Sequence, residues 1–186
     1  MSAHATAAAV DEGLPTAVLE IERHAAEAGW DQPARLFALV ETARLVEREP
    51  HLADSLGDSV LTPIEQEGLV PGRALEDQLA AISWPDTVHG CAALVERVVL
   101  PPAVESEVPS EPALAATYAS EHPDRQEVRI VAASTRTGAS YCALRMRAHD
   151  ADDAVLTGPD LVPGLVELVR ATLHDAGDGA AEGAPS

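Results

Sequence analysis

Lysine and asparagine are missing from all 186 residues, and phenylalanine occurs once. The 12 basic residues are all arginine and face 31 Asp and Glu, leaving a formal charge of −19. Phosphate recognition needs clustered cations, so this balance disfavours nucleic-acid binding and attachment to an anionic membrane surface. Aromatic residues make up 3% of the chain, so its core must be aliphatic, built from Leu, Val and Ala. Cys91 and Cys142 are too few for a disulfide framework. No run approaches the ~20 apolar residues of a membrane span. The start, Met1-Ser2-Ala3-His4-Ala5, lacks the basic region and apolar stretch of a signal peptide. A cytoplasmic protein with reduced thiols is expected.

Hydrophobic residues form 46% of the chain and charged residues 23%, which excludes a disordered acidic polymer. Ala, Val, Gly, Pro and Asp are the residues of GC-rich codons, so genomic bias accounts for the absent lysine. Adaptation to high salt is the other reading of so many carboxylates. The length suits one domain, expected over 13–174 between a flexible N-terminal tail at 1–12 and a disordered acidic tail at 175–186.

Leu14, Val18, Ile21, Ala25 and Ala28 make one stripe of an amphipathic helix, with Gly29 placed to cap it and Trp30 to fold back. Arg35–Glu41 is apolar on both faces and reads as an interior strand. Short helices are expected at 43–49 and 51–56, split by Pro50. Thr62-Pro63-Ile64-Glu65 has the pattern of a capping box with proline at the first helical position, so a helix is expected there. Leu75, Leu79 and Ile82 mark another short helix. A long β-branched strand over 87–100 ends at Pro101-Pro102, and a helix follows at 111–120, capped by Ser110.

Glu127–Thr135 and Ala139–Arg147 flank Arg136-Thr137-Gly138, a three-residue hairpin loop. Pairing Thr135 with Ala139 sets Ile130 beside Leu144 and Val128 beside Met146 on an apolar face. Arg129 then lies opposite Arg145, and Glu127 opposite Arg147, on the other face. A last helix is expected from Asp160 to Leu173, with an apolar arc wider than one packing face needs. The order predicts an α+β domain: a single, mainly antiparallel sheet with helices on one side.

Nothing in the chain matches a phosphate-binding glycine loop, a nucleophile elbow, a zinc-protease helix or a calcium loop. His89 and Cys91, with Cys142 or His149, lack the paired spacings of a zinc site, and no metal or cofactor is expected. Trp84 at a corner either plugs the core or offers a platform, with Asp86 capping the turn. An enzyme reading would use His89 with Asp86 in a cleft near Trp84. The opposed Arg129 and Arg145, extended by Arg147, repel unless anions intervene. Either neighbouring carboxylates such as Glu96 and Glu127 pair with them, or the face is open and receives an acidic peptide or protein.

Three segments, Leu61–Gly68, Ile82–Gly90 and Gly158–Gly164, together with Tyr141-Cys142-Ala143-Leu144-Arg145, resemble an uncharacterised actinobacterial protein family of unknown function. That resemblance carries no assigned activity and so no catalytic residue. The order of elements also resembles the secretion-chaperone-like α+β fold, whose members are often small, acidic, non-enzymatic dimers. The expected function is a non-enzymatic cytoplasmic binding or chaperone-like module, with a homodimer through the last helix as a further expectation.

Overall fold

The computed structural model describes residues 3–174. Its centre is one six-stranded antiparallel sheet, an α+β architecture. The strands are β1 (Arg35–Glu41), β2 (Leu61–Gln66), β3 (Gly90–Val99), β4 (Gln126–Thr135), β5 (Ser140–Met146) and β6 (Leu156–Gly158). They lie in the order β2-β1-β3-β4-β5-β6. Helix α1 (Ala3–Glu27) covers one face and α6 (Pro163–His174) the other. Between them along the chain come α2 (Thr42–Arg48), α3 (Ala53–Leu56), α4 (Leu75–Leu79) and α5 (Pro112–Glu121).

Helices on one side only were expected, and here the structure differs. Gly90–Val95 of β3 is buried residue after residue, as is Val128–Thr135 of β4. A strand hidden on both faces needs a layer on each side. Alanines at 92, 93, 132, 133 and 143 are fully buried at the middle of the sheet. These short side chains leave room for both helices to approach closely, which is how a chain with so few aromatics closes its core.

The helix expected from Leu14 begins earlier, because the alanine-rich start favours helix strongly. The expected tail at 1–12 is therefore helical from Ala3 onward, and Val10 is buried in the core. The C-terminal tail expected at 175–186 lies outside the described residues. Leu61–Gln66 is an edge strand rather than a capped helix. An edge tolerates a proline whose missing N–H would face outward, and Thr62 shares a hydrogen bond with Thr42 (2.8 Å) instead of capping.

The hairpin register is the one expected, with Ile130 opposite Leu144, Val128 opposite Met146 and Arg129 opposite Arg145. Of the wide apolar arc, Val166, Val169 and Leu173 are buried, Val162, Leu165 and Leu168 are partly buried against the core, and Leu161, just before α6, is 42% exposed.

Gly90 opens β3 where strands pass very closely. A Cβ there would sit 2.7 Å from the Ser134 carbonyl oxygen. Gly90→Ala is expected to destabilise the fold by about 1–3 kcal/mol, the usual range for overpacking. A denaturation midpoint equal to that of the parent would show that the strands can part without penalty.

Candidate functional site

The arginines singled out by the hairpin register are gathered at one end of the sheet; Arg129 and Arg145 are buried, and Arg147 is exposed. Arg129 is fully buried. Its guanidinium donates to Glu96 Oε1 (3.0 Å) and to the Gly29 carbonyl, and lies 4.4 Å from the centre of the Trp30 ring. Arg145 is also buried and grips Glu22 of α1 with two hydrogen bonds, of 2.6 and 2.8 Å. Its remaining donors reach Asp150 (3.2 Å) and Asp152 (2.8 Å). These carboxylates hold the Arg145 guanidinium above its ordinary pKa, with Glu22 the main cause. Arg147 binds both carboxylate oxygens of Asp31 (2.9 and 3.0 Å) and Glu127 (2.5 Å).

Repulsion between opposed arginines is thus removed by carboxylates from α1, β3 and the turn after α1. Gly29 adopts φ 88° and Asp31 φ 66°, so this turn doubles back over the sheet. Asp31 tolerates the left-handed backbone because its N–H donates to Glu96 Oε2 (2.7 Å) and its carboxylate is held by Arg147, which keeps its pKa below the usual range. The open arginine face expected to receive an acidic partner is corrected accordingly. Each of the three guanidiniums already meets carboxylates of its own chain.

Arg145 and Glu22 are nevertheless reached from the side. They floor a cleft of about 500 Å³ between α1 and the segment joining β5 to β6. Leu19, 42% exposed, and Val155 form its apolar wall. Glu20, Glu22 and Asp152 outnumber Arg23 and Arg145 around it.

Trp84 takes the core-plugging role. It is buried, and its indole N–H donates to Thr172 Oγ1 (2.9 Å), which lies 3.2 Å from Cys91 Sγ. Burial pushes the Cys91 thiol up to about 11. A residue that the sequence left as part of a turn fixes this corner. Arg136 donates to the carbonyls of Val88 (2.8 Å), Trp84 (2.9 Å), Pro85 (3.2 Å) and Leu173 (2.5 Å).

Asp86 is exposed and does not meet His89, so the expected His89–Asp86 pair does not form. The imidazole turns instead to Glu41 at the end of β1, with Nε2 2.7 Å from Glu41 Oε1. Cys91 faces α6 from the opposite side of the sheet, so His89 and Cys91 do not converge. Among the described residues no group of three or more His, Cys, Asp and Glu is arranged to hold a metal ion. No described helix is long and apolar enough to cross a membrane.

A buried sheet between two helices, locked by internal ion pairs and notched by a cleft at one end, defines an acidic α+β sandwich domain. A family model described as PPA1309-like protein matches residues 14–174, and the chain belongs to this uncharacterised family. No curated protein matches it, and no solved structure does.

Proposed function

We propose that the chain is a non-enzymatic binding module of the cytoplasm that recognises a protein partner through the cleft above the Glu22–Arg145 pair. The makeup of that cleft carries the reading: an apolar wall at Leu19 and Val155 beside an excess of carboxylate. A partner segment that presents a basic side chain next to an apolar one complements it. An acidic segment would meet guanidiniums that are already neutralised and a local field of its own sign. Cys91 and Cys142, both buried as free thiols, support a reducing compartment. The lysine-free, asparagine-free composition supports an actinobacterial source.

The test is capture from extracts of the native host by the parent protein and by Leu19→Asp, an exposed position on α1. The substitution is expected to reduce recovery of a specific partner about tenfold or more, the scale of an interface anchor. Added salt should weaken capture as well, through screening. Equal recovery by the two proteins would place the interface elsewhere.

A further inference from the structure

Three buried side-chain nitrogen or oxygen atoms have no hydrogen-bond partner among the described residues. One, Arg129 Nη1, belongs to the arginine cluster. The other two, Glu41 Oε1 and His89 Nδ1, belong to residues that line one pocket at the opposite end of the sheet. That pocket measures about 240 Å³, below the ~300–1,000 Å³ of a drug-sized site, and so suits a small ligand. Ala7 and Val10 of α1 form its apolar side.

Most of the polar lining is already occupied. The hydroxyls of Thr135 and Thr137 meet Asp11 Oδ1, at 2.8 and 2.5 Å. Arg136 donates to four backbone carbonyls, and Arg44 Nε lies 3.3 Å from Glu41 Oε2. Asp11 and Glu41 stand against Arg44 and Arg136, so the surroundings are neutral. A charged ligand would lose hydration there without a net counter-charge.

His89 is fixed from two sides. Its backbone N–H donates to the Leu39 carbonyl (2.9 Å), and its own carbonyl accepts from the Arg136 N–H (2.9 Å). The ring Nε2 stands 2.7 Å from Glu41 Oε1, yet out of line for a hydrogen bond, which leaves Oε1 unpartnered. The carboxylate beside Nε2 draws the ring proton to that nitrogen, so Nδ1 presents a lone pair. Both unpartnered atoms are therefore acceptors, and donors are what the pocket lacks. The Glu41 and His89 side chains, 11% and 22% exposed, still reach its surface.

We propose that this pocket binds a short aliphatic primary amide. Its uncharged NH2 group supplies two donors, for Glu41 Oε1 and His89 Nδ1, and its alkyl body lies against Ala7 and Val10. An alcohol brings one donor, a carboxylate none, and an alkylammonium a charge that the neutral lining does not offset. The site shares no residue with the partner cleft and stands or falls independently of it.

Butyramide is the probe, titrated into the full chain while NMR follows the methyl signals of Ala7 and Val10 and the ring of His89. The Leu19 methyls in the other cleft serve as reference. Saturable shifts are expected at Val10 and His89, with Leu19 unmoved. Sodium butyrate and butylammonium chloride, of the same length but charged, should bind about tenfold or more weakly. His89→Phe keeps a ring but removes Nδ1, and should bind butyramide about fivefold more weakly, the loss of one hydrogen bond. Ala7→Leu, which narrows the chamber and leaves both acceptors in place, should abolish binding. Amide spectra verify the fold of both variants. The proposal is overturned if butyramide fails to saturate, if butyrate or butylammonium binds as tightly, or if a folded variant binds undiminished.

Discussion

Arg145→Met is expected to lower the stability of the fold by about 3–5 kcal/mol, among the largest losses available to one substitution in this chain. The loss comes from what remains behind. Glu22 is buried at 2% exposure and is left without the guanidinium that offsets its burial. Asp150 and Asp152 add little to the effect, because they are 45% and 84% exposed and screened by solvent. The double variant Glu22→Leu with Arg145→Met should recover most of the loss, since removing both charges abolishes the desolvation penalty of each. Urea denaturation of the three proteins makes the comparison. A loss below about 1 kcal/mol in the single variant would show that Glu22 finds water or another cation.

Arg136→Ala should be the next most damaging, at about 2–4 kcal/mol, through carbonyls left without a donor. One guanidinium joins the Trp84 corner, the residue before His89 and the last turn of α6. The position at the α6 C-terminus adds a favourable interaction with the helix dipole. Arg136→Lys should restore little, because an ammonium cannot span four acceptors with the planar geometry of the arginine fork. Hydrogen exchange would report the effect locally, with faster exchange in the last turn of α6 and at the start of β3. Unchanged protection there would mean that packing of Trp84 alone holds the corner.

What could be read in advance was local and periodic. The β4–β5 register followed from strict alternation, because a slip of one residue would have carried Arg129 and Arg145 onto the face of Ile130 and Leu144. The α1 stripe and the interior strand Arg35–Glu41 were legible for similar reasons. Thr62-Pro63-Ile64-Glu65 misled because the same four residues satisfy a helix cap and an edge strand, and only the pairing with β1 distinguishes them. Pairing of the arginines with Glu96 and Glu127 was one of the two readings and is the one found, whereas Glu22, far back along the chain, gave no signal. Glu96 lies beside Arg129 across β3 and β4, and Glu22 descends from a helix on the other layer. His89 was matched with Asp86 by closeness in sequence, whereas the antiparallel pairing of β1 with β3 delivers Glu41. Arg136 gave no signal at all. A turn arginine looks solvated until the loops it joins are in place.

The polar contacts that tie α1 and the turn after it to the sheet join residues far apart in the chain. Glu22 is separated from Arg145 by 123 positions, Gly29 from Arg129 by 100, and Asp11 from Thr135 by 124. These partners of α1 and of the turn after it are thus made only after about a hundred or more further residues. Until then its apolar stripe can meet only the earlier part of its cover, Phe37, Leu39, Leu61, Ala92 and Leu94, and lacks Val131, Ala133 and Ala143. Closing loops of this length places the slow step late, after the β4–β5 hairpin exists, and gives the protein the kinetics of a high-contact-order fold. Helix α1 is made well before the residues that lock it.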